Sequence, residues 1–291
     1  MAKYLGVIPA FFILLLFAPC TQAKQYVFSV QSDAHLEFAR VLCLEALKAA
    51  GMDAEFTAFP IGPENRLNAE MQAGNLHIAF LPQSADRIRM EKEGFARSIR
   101  IPLERGLLGY RVCLVSDKTS DILQGVTTAE DLRRFTIGQG LGWGDTAIYR
   151  KAGIQVVEAP FTSIVDPLKA LAADRFDLLP LGVDEYTRFL TEYAKHATGL
   201  TADTHILIRY PWFRFVWVSA AAPDSGALYD ALDKGLGILA ANGGFEAIYA
   251  RYRGTFDAKK LKGRTIIDLP SPYARLEDVD ARFRRLIVAV P

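Results

Sequence analysis

The sequence predicts an α/β protein of two similar lobes, each a sheet flanked by helices. Three observations carry this. Short apolar runs of strand length alternate with stretches of i, i+3, i+4 periodicity. That alternation begins at Gln25 and restarts at Tyr110. The 291 residues have room for one large domain or two small ones, at about 100–200 residues per domain.

The elements follow in order. Gln25 to Val30 reads as a strand. Asp33 can cap a helix whose apolar positions Leu36, Ala39, Leu42, Cys43, Ala46, Leu47 and Ala50 share one face, and Gly51 ends it. A second strand spans Asp53 to Phe59. A short helix over Asn65 to Ala73 leads to a third strand, Leu76 to Leu81. This βαβαβ order favours parallel pairs with helices on both faces.

From Tyr110 to Val115 the pattern starts again. Thr127 and Glu130 stand at capping-box spacing ahead of Leu132. Phe135 to Ile137 is a strand, Asp145 opens a helix ending at Gly153, and Gln155 to Glu158 is the next strand. A helix over Ile164 to Ala173 and a strand over Phe176 to Leu181 complete the second array. His205 to Ile208 and Phe213 to Val218 are strand-like. Helices follow over Leu228 to Ala241 and Phe245 to Tyr252. Beyond Gly254 the chain is charged and irregular until Phe283 to Val288. Periodicity leaves two connections open: one linker, or a chain that crosses twice, near Arg105 to Gly109 and near Arg209 to Trp212.

Composition narrows the function. At 51% hydrophobic and 23% charged residues, the chain can bury enough apolar surface to order itself. Lys3, the apolar run Leu5 to Phe17 and Thr21-Gln22-Ala23 have the form of a secretory signal, with cleavage expected near Ala23. The run falls short of the ~20 residues of a membrane span, and no later stretch approaches that length. The mature chain is therefore expected to be exported, soluble and not inserted in a membrane. Cleavage removes one cation, Lys3, and leaves acids and bases equal in number. A balanced chain offers no general attraction to nucleic acid or anionic lipid. Cys43 and Cys113 remain, too few for a disulfide scaffold. The four histidines at 35, 77, 196 and 205 form no ligand spacing, so neither a metal nor a cofactor is expected.

Catalytic motifs fail their tests. Gly138-Gln139-Gly140-Leu141-Gly142-Trp143-Gly144 resembles a nucleotide loop, but the third glycine of G-x-G-x-x-G falls on Trp143 or Asp145 in the two registers. No nucleophile elbow or zincin motif occurs. Three strand-to-helix crossings remain as binding candidates. Ser84 can cap the helix that carries Arg87, whose guanidinium suits a carboxylate. The Gly140 loop offers Trp143 for stacking, with Asp145 and Thr146 at a helix start. The third, Gly182 to Glu185, carries Asp184. In open α/β sheets ligands gather outside the carboxyl ends of strands, where all three loops belong.

In this order and spacing the sequence resembles the periplasmic solute-binding proteins of polar amino acid ABC transporters (solute-binding family 3), over roughly Phe28 to Gly254. The carriers are Ser84-Ala85-Asp86-Arg87, Ile99 to Pro102 before Gly106 to Arg111, Thr128 to Leu132, Ala170 to Asp177, Asn242 to Phe245 and Tyr249 to Gly254. The resemblance implies a type II periplasmic-binding fold with a two-segment hinge. Its lobe 1 would comprise 24–107 and 211–291, and its lobe 2 would be 108–210, after a signal over 1–23. It separates Cys43 from Cys113. It implies that Arg87 holds a ligand's α-carboxylate and that Ser84, Gly140, Trp143, Asp145 and Thr146 add contacts. Where the family places an acid for the ammonium, this chain has Gly182, with Asp184 two residues on.

The expected function is thus a non-enzymatic periplasmic receptor for a small carboxylate-bearing solute, amino acid or similar, with an inner-membrane ABC permease as partner. A receptor feeding a signalling partner has the same sequence features. The rival is an exported enzyme on this fold, of the prephenate or arogenate dehydratase kind or a cell-wall lyase. Glu158, Asp184 and Glu185 are its available acids.

Overall fold

The computed structural model describes residues 23–29, 37–60, 62–161, 163, 165–196 and 198–290. The expected signal up to Gln22, and Gln31-Ser32-Asp33 with its expected cap, lie outside the described residues.

The first lobe is a sheet in the order β2 (Ala54–Phe59), β1 (Lys24–Ser29), β3 (Ile78–Pro82), β11 (Arg214–Ser219), β4 (Ala96–Ile99). β1 runs parallel to β2 and β3, whereas β11 is antiparallel to both of its neighbours, with Val216 opposite Phe80 and Ile99. β3 is buried along its whole length, as its apolar run requires. Helices α1 (Glu37–Ala49), α2 (Glu64–Gln72) and α3 (Ala85–Lys92) follow the strands, and α7 (Ser225–Asn242) and α8 (Gly244–Arg253) return to the same core. Gly235 of α7 sits so close to α1 that an added Cβ would overlap the Ala46 carbonyl.

The second lobe orders its sheet β12 (Thr265–Asp268), β10 (Ile206–Arg209), β5 (Tyr110–Ser116), β8 (Leu179–Gly182), with β9 (Leu200–Ala202) also on β5. The pair β6 (Thr136–Gly140) and β7 (Gln155–Ala159) joins it through a parallel bridge from Ile137 to Leu178. Helices α4 (Thr146–Lys151), α5 (Val165–Ala172) and α6 (Tyr186–Glu192) pack around these strands. Cys43 lies in the first lobe's core and Cys113 in the second's; both are free, buried thiols whose pKa burial pushes up.

The chain crosses twice between the sheets, from β4 to β5 and from β10 to β11. The crossings touch: Tyr210 donates its N–H to the Gly109 carbonyl at 2.9 Å. Arg105 (φ 56) and Gly106 (φ 81) make the first turn, and both occupy the left-handed region that glycine tolerates and arginine enters at a cost.

Two sequence readings change. Thr127 and Glu130 do not form a capping box. Asp131 instead accepts from the Thr127 and Thr128 N–H groups at 3.0 and 2.9 Å and from the Thr128 hydroxyl at 2.9 Å, ahead of a 3-10 turn. The tail is not confined to lobe 1 or irregular throughout: Thr265–Asp268 pairs in parallel with β10 of the second sheet. Ile267, Leu269 and Ala274 join that lobe's core, while Val279, Phe283 and Leu286 fill the first lobe's. A four-residue edge strand acquires its pairing only from the sheet it meets, so local periodicity does not announce it.

Two tests follow from this packing. Gly235→Ala overpacks the α1–α7 contact and lowers stability by about 1–3 kcal/mol or more, whereas Gly237→Ala, two residues on and clear of backbone, gains about 0.5–1 kcal/mol from helix propensity. Urea denaturation measures both. The hydrogen bonds to Asp131 draw its carboxyl down to about 2. Its stabilising contribution is complete above the unfolded value near 3.9 and is lost as pH falls through the folded one. Asp131→Asn therefore unfolds more easily than the parent at pH 6, and the two converge near about pH 2.

Candidate functional site

Between the two sheets lies a cavity of about 290 Å³. Gly62 to Asn65 and Pro82 wall it from the first lobe. Arg111, Leu141, Trp143 to Asp145, Pro160, Phe161, Pro180 and one side of α6 wall it from the second, and Trp212 and Arg214 from the second crossing. Pro82 closes β3, and several of the other positions follow the carboxyl ends of β6 and β8, where side chains and loop N–H groups converge.

Two glycines allow the close approach. A Cβ on Gly140 would run into the indole of Trp143. On Gly144 it would meet the Trp212 ring at 2.7 Å and the Gln83 carbonyl at 2.8 Å, so this loop of the second lobe touches the first only because no side chain intervenes.

Arg111 organises the second lobe's wall. Its Nε donates to the Tyr210 hydroxyl at 2.8 Å and its Nη2 to Asp145 Oδ2 at 3.1 Å, and Nη1 lies 3.6 Å from Glu185 Oε2. Tyr210 in turn donates to Asp145 at 3.1 Å and sits 2.8 Å from the Tyr149 hydroxyl. Burial pushes the Asp145 carboxyl up, against the pull of Arg111. Burial alone would lower Arg111, but Tyr210 and Asp145 outweigh it and hold the guanidinium charged.

Arg214 pairs with Glu104 and donates Nη1 to the Phe80 carbonyl at 3.2 Å. Burial raises the Glu104 carboxyl, with Arg214 opposing. On the other side Asp184 accepts from Arg253 at 2.5 Å and Tyr249 at 3.1 Å, both on α8, which ties the loop after β8 to the first lobe.

The residues singled out by sequence separate into three groups. Trp143 and Asp145 line the cavity. Ser84, Arg87, Gly140 and Thr146 stand behind its wall. Ser84 caps α3 by accepting from the Arg87 N–H at 3.2 Å. The Arg87 side chain, only 1% exposed, donates to the Pro82 carbonyl at 2.5 Å, to Asn68 at 3.2 Å and to Glu64 at 2.7 Å. It is Glu64, not Arg87, that faces the cavity. Asp184 lines a separate cavity of about 90 Å³ with Tyr249 and Arg253. Of the acids weighed for catalysis, Glu158 pairs with Arg150, and Glu185 lines the main cavity while accepting from the Gly182 N–H at 2.9 Å.

Sequence reasoning missed Glu64, Arg111, Arg188, Phe189 and Trp212 as lining residues. For Arg111 a signal existed: an arginine inside the apolar run Tyr110 to Val115 must find a carboxylate or leave a charge buried. Arg188 and Phe189 lie on α6 in no motif. Among the described residues no cluster of metal-binding side chains occurs, and no helix is long and apolar enough to cross a membrane.

No protein-family model and no curated protein matches the chain. Solved structures do. An ancestral arginine-binding protein bound to glutamine is 14% identical, with 80% of this chain and 100% of that one covered at a TM-score of 0.59. The arginine-, lysine-, histidine-binding protein ArtJ from the thermophilic bacterium Geobacillus stearothermophilus is 17% identical, with 82% and 100% covered at 0.56. The ligand-binding core of GluR0 from Nostoc punctiforme, in complex with L-glutamate, is 12% identical, with 80% and 100% covered at 0.55. At these identities the likeness is one of fold: the chain has the two-lobed type II periplasmic-binding architecture.

The wall depends on its central cation. Arg111→Met takes the buried guanidinium away from Asp145 and Glu185 and costs about 3–5 kcal/mol in urea denaturation at neutral pH. Asp145, whose carboxyl burial already pushes up, then loses the opposing pull of Arg111, so its folded form holds more protons than the unfolded and the deficit narrows as the pH falls.

Proposed function

We propose that this chain is an exported, non-enzymatic solute-binding protein that captures a small carboxylate-bearing solute between its lobes and delivers it to an inner-membrane ABC permease from the periplasm. The observation that carries the reading is the cavity itself, walled from both lobes and from a crossing strand. A solute there contacts both lobes at once and so favours the closed over the open arrangement. The binding proteins that share the fold support the reading. So does the state of the acids: Glu64 is held by Arg87, Asp145 and Glu185 by Arg111, and Glu192 by Arg188. A carboxylate engaged by a guanidinium is a poor general acid.

In this reading Trp143 and Asp145 meet the solute, while Arg87, with Ser84 capping its helix, acts from behind by fixing Glu64. Gly140 and Thr146 shape the loop. Asp184 acts on closure through Arg253. The lobes divide as 24–105 with 211–254, and 108–210 with the tail through Ala274.

The test is calorimetry and small-angle scattering against a panel of amino acids and organic acids. A ligand at about a hundredfold excess over its Kd adds about 2.7 kcal/mol to the unfolding free energy and is released without turnover. Trp143→Ala weakens its binding. Absence of stabilisation by every solute, or consumption of one, contradicts the proposal.

A further inference from the structure

The chemistry of the cavity wall points beyond a generic solute. We propose that the cavity selects an aromatic carboxylate lacking an ammonium group, with its ring among the aromatic side chains and its carboxylate on Nη1 of Arg188. The inference rests on the receptor reading above and sharpens it.

The wall is mostly apolar and aromatic. Trp143 and Phe161 stand with ring centroids 6.2 Å apart, and Phe189 and Tyr193 6.1 Å apart, while Trp212 contributes a fifth ring from the crossing strand. These surfaces favour a flat ring by offset or edge contact. An apolar cavity of about 150 Å³ is enough to hold benzene, so about 290 Å³ accommodates a ring and a short acidic arm.

The charges decide the rest. Among the described residues, every carboxylate that lines the cavity is already set against an arginine. The ammonium of a zwitterion would have to compete with a guanidinium for its acceptor. One cation has capacity to spare. Arg188 gives its Nε and Nη2 to Glu192 at 3.0 and 3.1 Å, which occupies one edge of the guanidinium fork. Its Nη1 has no hydrogen-bond partner and is closed to water in this arrangement, so a bound acid reaches it by turning the guanidinium, whose residue lines the cavity with other, exposed atoms. A buried N–H without an acceptor is costly, and a carboxylate supplies the strongest acceptor available. The unmet need of this wall is thus for an acceptor, beside rings that exclude water.

The test uses the mature full chain in calorimetry with phenylacetate and indole-3-acetate. Phenylacetamide, phenethylammonium, L-phenylalanine and L-arginine serve as matched probes. Phenylacetate or indole-3-acetate binds at least about tenfold tighter than the amide, the amine or either amino acid. Arg188→Gln weakens the carboxylate by about 10–100-fold and leaves the amide unchanged. The unliganded melting temperature of this variant, and Arg188→Lys as a charge-retaining control that recovers part of the affinity, separate lost binding from lost folding. Equal affinity for amide and carboxylate, preference for the amine, or carboxylate binding that survives Arg188→Gln overturns the inference. Binding of L-phenylalanine or L-arginine with no arylcarboxylate binding overturns it while leaving the receptor reading in place. Binding of no probe, together with no stabilisation by any panel solute, overturns both.

Discussion

The structure depends on one constraint: the arginines buried where the lobes meet must each find a carboxylate. Arg111 reaches Asp145 and Glu185, Arg214 reaches Glu104, and Arg253 reaches Asp184. An unpaired ion in such a setting costs several kcal/mol, a large share of a domain's net stability. The pairs are also long-range. Glu104 follows β4 on the first crossing and Arg214 opens β11 after the second, so their contact pins the two crossings together. Asp184 belongs to the second lobe and Arg253 to α8 of the first. In the Arg253–Asp184 pair, charge satisfaction and the placement of the two lobes are therefore one condition, and the cavity lies beside these paired charges.

The tail adds a second set of ties. After β12 completes the edge of the second sheet, Tyr273 packs against Trp212 with centroids 5.7 Å apart. Asp278 then accepts from Gln83 at 3.1 Å, and Phe283 and Leu286 enter the first lobe's core. Trp212 is thus backed by the tail on one side and faces the cavity on the other. A segment that reads as a charged, irregular end contributes to both cores and supports a wall residue.

Much of the architecture was legible in sequence because it rests on periodicity. The long helix α1 and the uninterrupted apolar run of β3 show their faces plainly, and the glycine-limited alternation of strands and helices repeats in each lobe. Short elements escaped. β4, β9 and β12 span three or four residues, too few for a period, and exist through their partners. The site was legible in place but less so in person. The loops after β6 and β8 reach the cavity with Trp143, Asp145 and Glu185, whereas β3 reaches it only with its last residue, Pro82. Arg87, however, looks free in sequence, since Glu64 and Asn68 stand on a helix one strand earlier, and only the fold brings them within reach. The same physics explains Asp131: an acid one position beyond the expected Glu130 accepts four hydrogen bonds from Thr127 and Thr128, which spacing alone cannot rank.

The central claim is that the space between the lobes is built to hold a small molecule. Native mass spectrometry of protein purified gently from its own expression host tests it most directly. The account predicts a population heavier than the chain by one small organic acid, released on mild activation and restored when that acid is added back. A single bare mass under the gentlest conditions, unchanged by any carboxylate offered, would contradict it.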